Sequence, residues 1–132
     1  MKYLLDTHTW IWWNMNPPRL SQRVKGIIGD VDMYDEMLLS AISPWEFGKL
    51  LEKNRLGVSI DPEAWIGTAL DMPKLRLVPL TPVLSYRSTV LPQSFHRDPT
   101  DQIIVATARE ENATLLSKDE SILSYEHVQS IW

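Results

Sequence analysis

Short apolar runs alternate along this chain with longer amphipathic segments, and that alternation constrains the fold more than any other feature. The short runs favour strands and the longer segments favour helices. The strand-like runs are residues 2–6, 38–42, 76–80, 113–117 and 128–131. Strands joined through helices make right-handed crossovers and therefore lie parallel to one another. The sequence thus predicts an α/β fold, a three-layer α/β/α sandwich with a central, mainly parallel sheet.

Capping residues and prolines mark the predicted helices. Ser, Thr or Asp stands before most of these segments, often followed by Pro at the first helical position. The predicted helical segments are 7–15, 21–29, 43–54, 61–72, 81–90, 98–112 and a single turn at 119–124, with a loop at 91–98. There is no repeat, low-complexity tract or linker, so we expect one domain over residues 1–132.

Four acidic residues lie where such a fold places ligands. Asp6 and Asp119 follow strand-like runs, Glu46 follows the run at 38–42, and Asp101 lies in the first turn of a predicted helix. In a parallel sheet, ligands bind beyond the carboxyl ends of the strands. Carboxylates gathered there repel one another unless a hard cation neutralises them. The pattern therefore predicts a Mg²⁺ or Mn²⁺ site and phosphodiester chemistry.

Each acid also has a purely structural explanation, and these alternatives stay open at the level of sequence. The run Ser43-Pro44-Trp45-Glu46 fits a capping box. Asp6, Asp98 and Asp119 can cap helices, and an acid at position 101 suits the first turn of a helix. Asp6 fits this explanation least well, because the end of a buried strand is a costly place for an unpaired charge.

Composition narrows the class of protein. A net charge of −4 argues mildly against a nucleic-acid surface, although four metal-binding carboxylates would account for all of it. Cysteine is absent, which excludes disulfides and thiolate metal sites and suits a reducing compartment. The amino-terminal residues do not resemble a signal peptide, and no apolar stretch approaches the ~20 residues of a membrane helix. We expect a cytoplasmic protein without membrane association.

Five segments, in this order, carry a resemblance that covers essentially the whole chain. They are Leu4-Leu5-Asp6-Thr7-His8, Ser43-Pro44-Trp45-Glu46, His96-Arg97-Asp98-Pro99-Thr100-Asp101, Ile103-Ile104-Val105-Ala106-Thr107-Ala108 and Leu115-Leu116-Ser117-Lys118-Asp119. Together they resemble the PIN-domain ribonucleases, and among these the VapC-type toxins of bacterial type II toxin–antitoxin modules. The aspartate–proline segment that leads into an Ile-Val-Ala-Thr-Ala helix is the most distinctive part.

The resemblance implies a metal-dependent endoribonuclease that is usually dimeric and is blocked by a cognate antitoxin protein. Carried over by position, the catalytic and metal-binding quartet is Asp6, Glu46, Asp101 and Asp119. Thr7 and Asp98 are expected next to the quartet. Thr7 is expected to hydrogen-bond a carboxylate or a metal-bound water. Asp98 is expected to cap a helix or to contact a metal ligand without binding the metal itself. Attack by a metal-activated water predicts products with 5′-phosphate and 3′-hydroxyl ends.

Basic and aromatic residues supply further candidates. The candidate RNA contacts are Arg97, Lys49, Lys53 and Lys118, each of which can also be a solvated surface charge. Trp10 is expected in the core, Trp12 partly exposed for the antitoxin, and Trp45 in the core or a dimer contact. The three histidines have no metal-ligand spacing among themselves, so we expect them not to be catalytic.

Three other functions compete with this interpretation. A phosphatase or dehalogenase with Asp6 as nucleophile would have a second aspartate at the position of His8. A flap-type DNA nuclease has a similar acidic site, but this chain is short for the extra helices that grip a duplex. A non-catalytic PIN-like module that only binds RNA or protein is the main alternative, and the intact quartet argues against it.

Overall fold

Five strands form one sheet in the part of the chain that the computed structural model describes, residues 1–30 and 35–132. The strands are β1 (Lys2–Leu5), β2 (Glu36–Ser40), β3 (Leu75–Val78), β4 (Thr114–Leu116) and β5 (Ser130–Ile131). The helices are α1 (Thr7–Met15), α2 (Gln22–Gly29), α3 (Ile42–Glu52), α4 (Pro62–Leu70), α5 (Pro82–Arg87), α6 (Pro99–Glu111) and α7 (Glu120–Leu123). A 3₁₀ turn at Pro17–Arg19, which the sequence did not predict, separates α1 from α2.

The strand order is β3-β2-β1-β4-β5, and every neighbouring pair is parallel. β2 pairs with one side of β1, and β3 pairs with β2. The chain then crosses over the sheet, and β4 pairs with the other side of β1. The direction of winding therefore changes between β1 and β4, which makes their carboxyl ends the expected ligand crevice of the sheet. The predicted α/β fold with a central parallel sheet is confirmed.

Both faces of the sheet are buried under helices. Adjacent strand residues alternate between two hydrophobic clusters, because successive side chains of a strand point to opposite faces. One cluster contains Leu5, Leu39, Leu116, Trp10, Phe47 and Trp65, and the other contains Leu4, Leu38, Leu115, Ile104 and Val105. Strands covered on both faces are apolar throughout, and this explains why the short runs are visible in the sequence.

Several element boundaries differ from prediction by one to three residues. The second strand was expected at 38–42, but β2 is Glu36–Ser40, because the Ser40 hydroxyl accepts the N–H of Ile42 (3.2 Å) and the chain turns into α3. The helix expected over 81–90 ends at Arg87. No helix of the described residues has the combined length and apolar character needed to cross a bilayer.

Replacing Trp10 with alanine should lower the free energy of unfolding by about 3–5 kcal/mol, because it removes a large, fully buried side chain. Its ring packs against Phe47 and Trp65, and its Nε1 donates to the carbonyl of Ala69 (3.1 Å). Urea unfolding followed by circular dichroism measures the loss. Trp45→Ala is the matched control, since Trp45 is 54% exposed and should change stability by less than about 0.5 kcal/mol. Equal losses for the two variants would contradict the assigned core.

Candidate active site

The ends of β1 and β4 hold Asp6 and Asp119 side by side. The N–H of Asp6 donates to the carbonyl of Leu116 (3.1 Å), so the pairing of β1 with β4 extends to the acidic residue itself. The Ser117 hydroxyl accepts the N–H of Asp119 (3.0 Å) and lies 2.6 Å from Oδ2 of Asp6. Since the Asp6 carboxylate can only accept, Ser117 donates to it. One hydroxyl therefore fixes the positions of both acids.

Asp6 is only 3% exposed, and each of its two carboxylate oxygens accepts a hydrogen bond. Oδ1 accepts the N–H of Thr7 (2.8 Å), which caps α1, and Oδ2 accepts the hydroxyl of Ser117. Such donors compensate for the hydration that a buried carboxylate loses. The capping explanation and the site explanation of Asp6 are therefore compatible.

Glu46 faces the same crevice from α3. The helix begins at Ile42, so Ser43 lies inside it, and the N-cap residue is Ala41 without a side-chain cap. The capping-box explanation of Glu46 is therefore wrong. Burial raises the pKa of Glu46, a hydrogen bond with the Thr7 hydroxyl opposes this shift, and the charges of Asp6 and Asp98 raise the pKa further.

Asp101 lies at the centre of the charge cluster, in the first turn of α6. Asp98 caps this helix, because its Oδ1 accepts the N–H of Asp101 (3.1 Å). Burial, and then the charges of Asp6, Asp98, Asp119 and Glu46, raise the pKa of Asp101 to about 8. The structure thus brings all four predicted quartet positions, and Asp98 with them, within electrostatic range of one carboxyl.

His96, which was expected not to be catalytic, lies beside the acidic cluster. Its Nε2 lies 3.1 Å from Oδ2 of Asp101, and ligand atoms of His96, Asp101 and Asp119 lie within 4.8 Å of one another. Among the described residues this buried nitrogen makes no hydrogen bond of good geometry, while Nδ1 accepts the N–H of Asp98 (3.2 Å). The available signal was the spacing of His96 from the acids that follow it, rather than from the other histidines.

Thr7 lies behind Glu46. Its hydroxyl hydrogen-bonds the Glu46 carboxylate and lies 2.9 Å from the hydroxyl of Ser43, which is buried in α3. These contacts join the start of α1 to α3 across the end of β1. The contact predicted between Thr7 and a carboxylate is present, and its part in the chemistry stays a prediction.

Comparison with known proteins identifies the family. Residues 3–128 match the PIN domain. The chain belongs to the PIN-domain family. It is 34% identical to Ribonuclease VapC22 of Mycobacterium tuberculosis over 128 residues, which are 97% of this chain and 95% of that protein. The predicted resemblance to VapC-type PIN domains is therefore confirmed.

Solved structures share the fold. The chain superimposes on VapBC2 from Rickettsia felis bound to a promoter DNA fragment with a TM-score of 0.70 and 15% identity, over 100% of this chain and 99% of that one. A toxin–antitoxin complex from Klebsiella pneumoniae gives a TM-score of 0.64 and 19% identity, over 96% and 94% of the two chains. At these identities the likeness establishes the architecture.

His8 lines the crevice of this PIN domain as an uncharged imidazole. Its Nε2 accepts the N–H of Lys118 (3.0 Å), so the proton of the neutral ring is on Nδ1, which lies 3.5 Å from Oδ2 of Asp6. Burial lowers the pKa of His8. The charges of Asp6 and Asp119 oppose this shift, and those of Lys118 and Arg19 reinforce it.

Two of the four candidate RNA contacts are poorly placed. Nζ of Lys49 lies 3.2 Å from Oε2 of Glu52, so its charge already has a partner. Lys53 follows Glu46 by seven residues, which is about two helical turns or ~10 Å along α3. The structure gives little support to either lysine as a phosphate contact near the cluster.

Arg97 and Lys118 are better placed. Both are exposed, and each stands beside cluster residues in the chain, Arg97 next to Asp98 and Lys118 next to Asp119. No ion pair found between residues of the described ranges includes either side chain. Their charges are therefore available to a phosphate backbone.

The donor set of this PIN domain fits a hard divalent cation. Carboxyl groups from four parts of the fold converge, and burial together with their mutual repulsion raises the pKa of Asp101. Mg²⁺ and Mn²⁺ prefer oxygen ligands of this kind. Because Nδ1 of His96 accepts the N–H of Asp98, the proton of the neutral ring is on Nε2, beside Oδ2 of Asp101, where it can donate to a metal-bound water or to a carboxylate.

Without metal, the free energy of unfolding should fall as pH rises from about 4 to about 8. Folded Asp101 keeps its proton to a pKa of about 8, whereas an unfolded aspartate releases it near about 3.9. The folded state therefore binds the extra proton in this window, and stability falls by up to about 1.4 kcal/mol per pH unit. Urea unfolding in EDTA at a series of pH values measures the slope.

Asp101→Asn should remove most of this pH dependence, leaving the part that comes from the raised pKa of Glu46, and be more stable than the wild type at pH 8. Asp71→Asn is the matched control, because Asp71 is exposed at the end of α4, before the amino end of β3. It should keep the wild-type slope. Parallel pH profiles for wild type and Asp101→Asn would show that Asp101 is not the group that titrates.

Proposed function

We propose that this PIN domain is a divalent-metal-dependent endoribonuclease and the toxin of a toxin–antitoxin pair. The observation that carries the proposal is the convergence of Asp6, Glu46, Asp101 and Asp119 where the sheet changes its direction of winding. The name of Ribonuclease VapC22 and the toxin–antitoxin complex among the structural neighbours support the substrate class and the biological setting.

The four acids would hold Mg²⁺ or Mn²⁺, with His96 beside them. When bound, the cation supplies charge neutralisation and Lewis acidity toward phosphate oxygens and water. The chain orients the ligands. Oδ1 of Asp119 accepts the N–H groups of Ser121 (2.8 Å) and Ile122 (3.2 Å), which leaves Oδ2 to face the cluster. Asp6 is oriented in the same way by its two donors, so the site is preorganised before substrate arrives.

Glu46 has the properties of a general base in this reaction. Burial raises its pKa, which favours proton acceptance, and its carboxylate is held by Thr7 at the edge of the cluster. Water attacks the phosphorus in line with the 3′ oxygen, its proton passes to Glu46, and the 3′ oxygen leaves and takes a proton from solvent. The products carry 5′-phosphate and 3′-hydroxyl ends, and the 2′-hydroxyl takes no part.

Protein partners are part of the same proposal. Trp45 lies on α3 next to Glu46 and is exposed, so of its two expected places the core is excluded and a dimer contact stays a prediction. An exposed aromatic residue beside the cluster suits an antitoxin segment that covers the site. A second group of exposed apolar side chains, Val83, Tyr86 and Val90, lies on and after α5 and suits the predicted homodimer.

Purified protein should cleave a short single-stranded RNA in Mg²⁺ or Mn²⁺ and should not cleave it in EDTA. Asp6→Asn should slow cleavage by at least about 100-fold, because loss of groups that merely orient a metal ligand already costs about 10–100-fold. Asp71→Asn should cleave at the wild-type rate. Gel analysis gives the rates, and mass spectrometry of the fragments identifies their ends. A 2′,3′-cyclic phosphate, or equal rates for the two variants, would overturn the mechanism.

Expression of the wild-type chain in a bacterial host should arrest growth, and Asp101→Asn should not. Removing the raised-pKa carboxyl is expected to stabilise the metal-free fold, so loss of arrest cannot be explained by unfolding. Growth curves with immunoblots at matched protein levels make the comparison, with Asp71→Asn as the control that still arrests growth. Arrest by Asp101→Asn equal to that by the wild type would contradict toxicity through RNA cleavage.

A further inference from the structure

Arg19 is held over the ring of Trp12 on the rim of the acidic crevice. Its Cζ lies 4.0 Å from the ring centroid, well within the distance of a cation–π contact. Arg19 ends the 3₁₀ turn that begins with two prolines, so the backbone that carries it is restricted. Both features limit the positions that the guanidinium can take, which makes it a preorganised cation.

Two contacts join this cation to the acidic site. The ring of His8 lies 4.9 Å from that of Trp12, and Nδ1 of His8 lies 3.5 Å from Oδ2 of Asp6. Lys118 approaches the same indole from another element, with its Nζ 5.8 Å from the ring centroid. Arg19 and Lys118 therefore both approach the Trp12 ring. This ring contacts His8, and His8 contacts the carboxylate cluster at Asp6.

Neither cation is neutralised by the acids so close to it. Both side chains are exposed, and no ion pair described for residues 1–30 and 35–132 includes Arg19 or Lys118. Proteins that bind single-stranded nucleic acid combine such cations with aromatic rings, because the cations bind phosphates and the rings and guanidinium planes stack on bases.

We propose that Arg19 and Lys118, arranged around Trp12, bind the backbone phosphates of single-stranded RNA next to the phosphate that the acidic cluster receives. The inference rests on the proposed function and extends it to the residues that hold the RNA strand in the crevice. RNA suits this arrangement better than an acidic polypeptide does. The indole and the guanidinium plane can stack on the bases of the strand, whereas an acidic side chain has no ring for them to stack on.

The test is RNA affinity as a function of salt. All proteins carry Asp101→Asn to prevent cleavage, and fluorescence anisotropy of a short fluorescein-labelled single-stranded RNA gives Kd across a KCl series at constant Mg²⁺. Arg19→Gln removes the charge and keeps a stem that can pack on Trp12. It should weaken binding about 3- to 10-fold and reduce the slope of log Kd against log salt by about 1. Lys118→Gln should do the same, and Arg19→Lys should restore the slope.

Lys2→Gln is the matched control. It removes the same charge from the amino end of β1, at the end of the strand opposite the acidic cluster, where Lys2 pairs with Glu111 (3.3 Å), and it should leave the slope unchanged. Slopes for Arg19→Gln and Lys118→Gln equal to that of Lys2→Gln would overturn the inference and leave the ribonuclease proposal standing. Loss of polyglutamate binding in Arg19→Gln with unchanged RNA binding would overturn it in favour of an acidic protein partner. Absence of RNA binding by the parent together with absence of cleavage by the wild type would overturn both proposals.

Discussion

Repulsion among carboxylates at the carboxyl ends of β1 and β4 is the constraint that the site's architecture must satisfy. Burial, together with the charges of four neighbouring acids, raises the pKa of Asp101 to about 8. Such a cluster persists in a folded protein only where the surrounding packing holds it in place. A sheet covered on both faces and helices that begin at the acids supply that packing. The same repulsion, relieved by a cation, would provide the affinity for metal that the proposed hydrolysis of a phosphodiester requires.

The helix caps reconcile stability with function. Asp6, Asp98 and Asp119 each use one carboxylate oxygen to accept the backbone N–H groups of a helix start, and the crevice is formed where these starts converge. Each cap stabilises its helix and orients the other oxygen of the carboxylate. The structural explanation of these acids and the functional one that we propose compete at the level of sequence, but they are compatible, because each can use a different oxygen of the same carboxylate. Glu46 is the exception, because α3 begins too early for it to act as a cap.

Most elements of the fold and the four acidic positions were predictable, and the reason is local. A strand buried on both faces is apolar throughout, and an aspartate–proline pair at a helix start acts within a few residues, so both leave marks in the sequence. The position of Ser117, which orders Asp6 and Asp119 together, leaves no such mark, because it links residues more than a hundred positions apart. The same holds for His96 and Arg19, whose neighbours come from other elements.

The sequence by itself determined the alternation of strands and helices, the parallel sheet that follows from it, and the acids at the ends of the strands. These follow from burial and from the reach of a side chain to its own backbone, which operate over short distances along the chain. Only the tertiary structure decided that the crossover returns β4 to the side of β1, and therefore that acids from four elements share one crevice. It also decided which charges are left unpaired, because Coulomb interactions depend on distance in space rather than on separation in sequence.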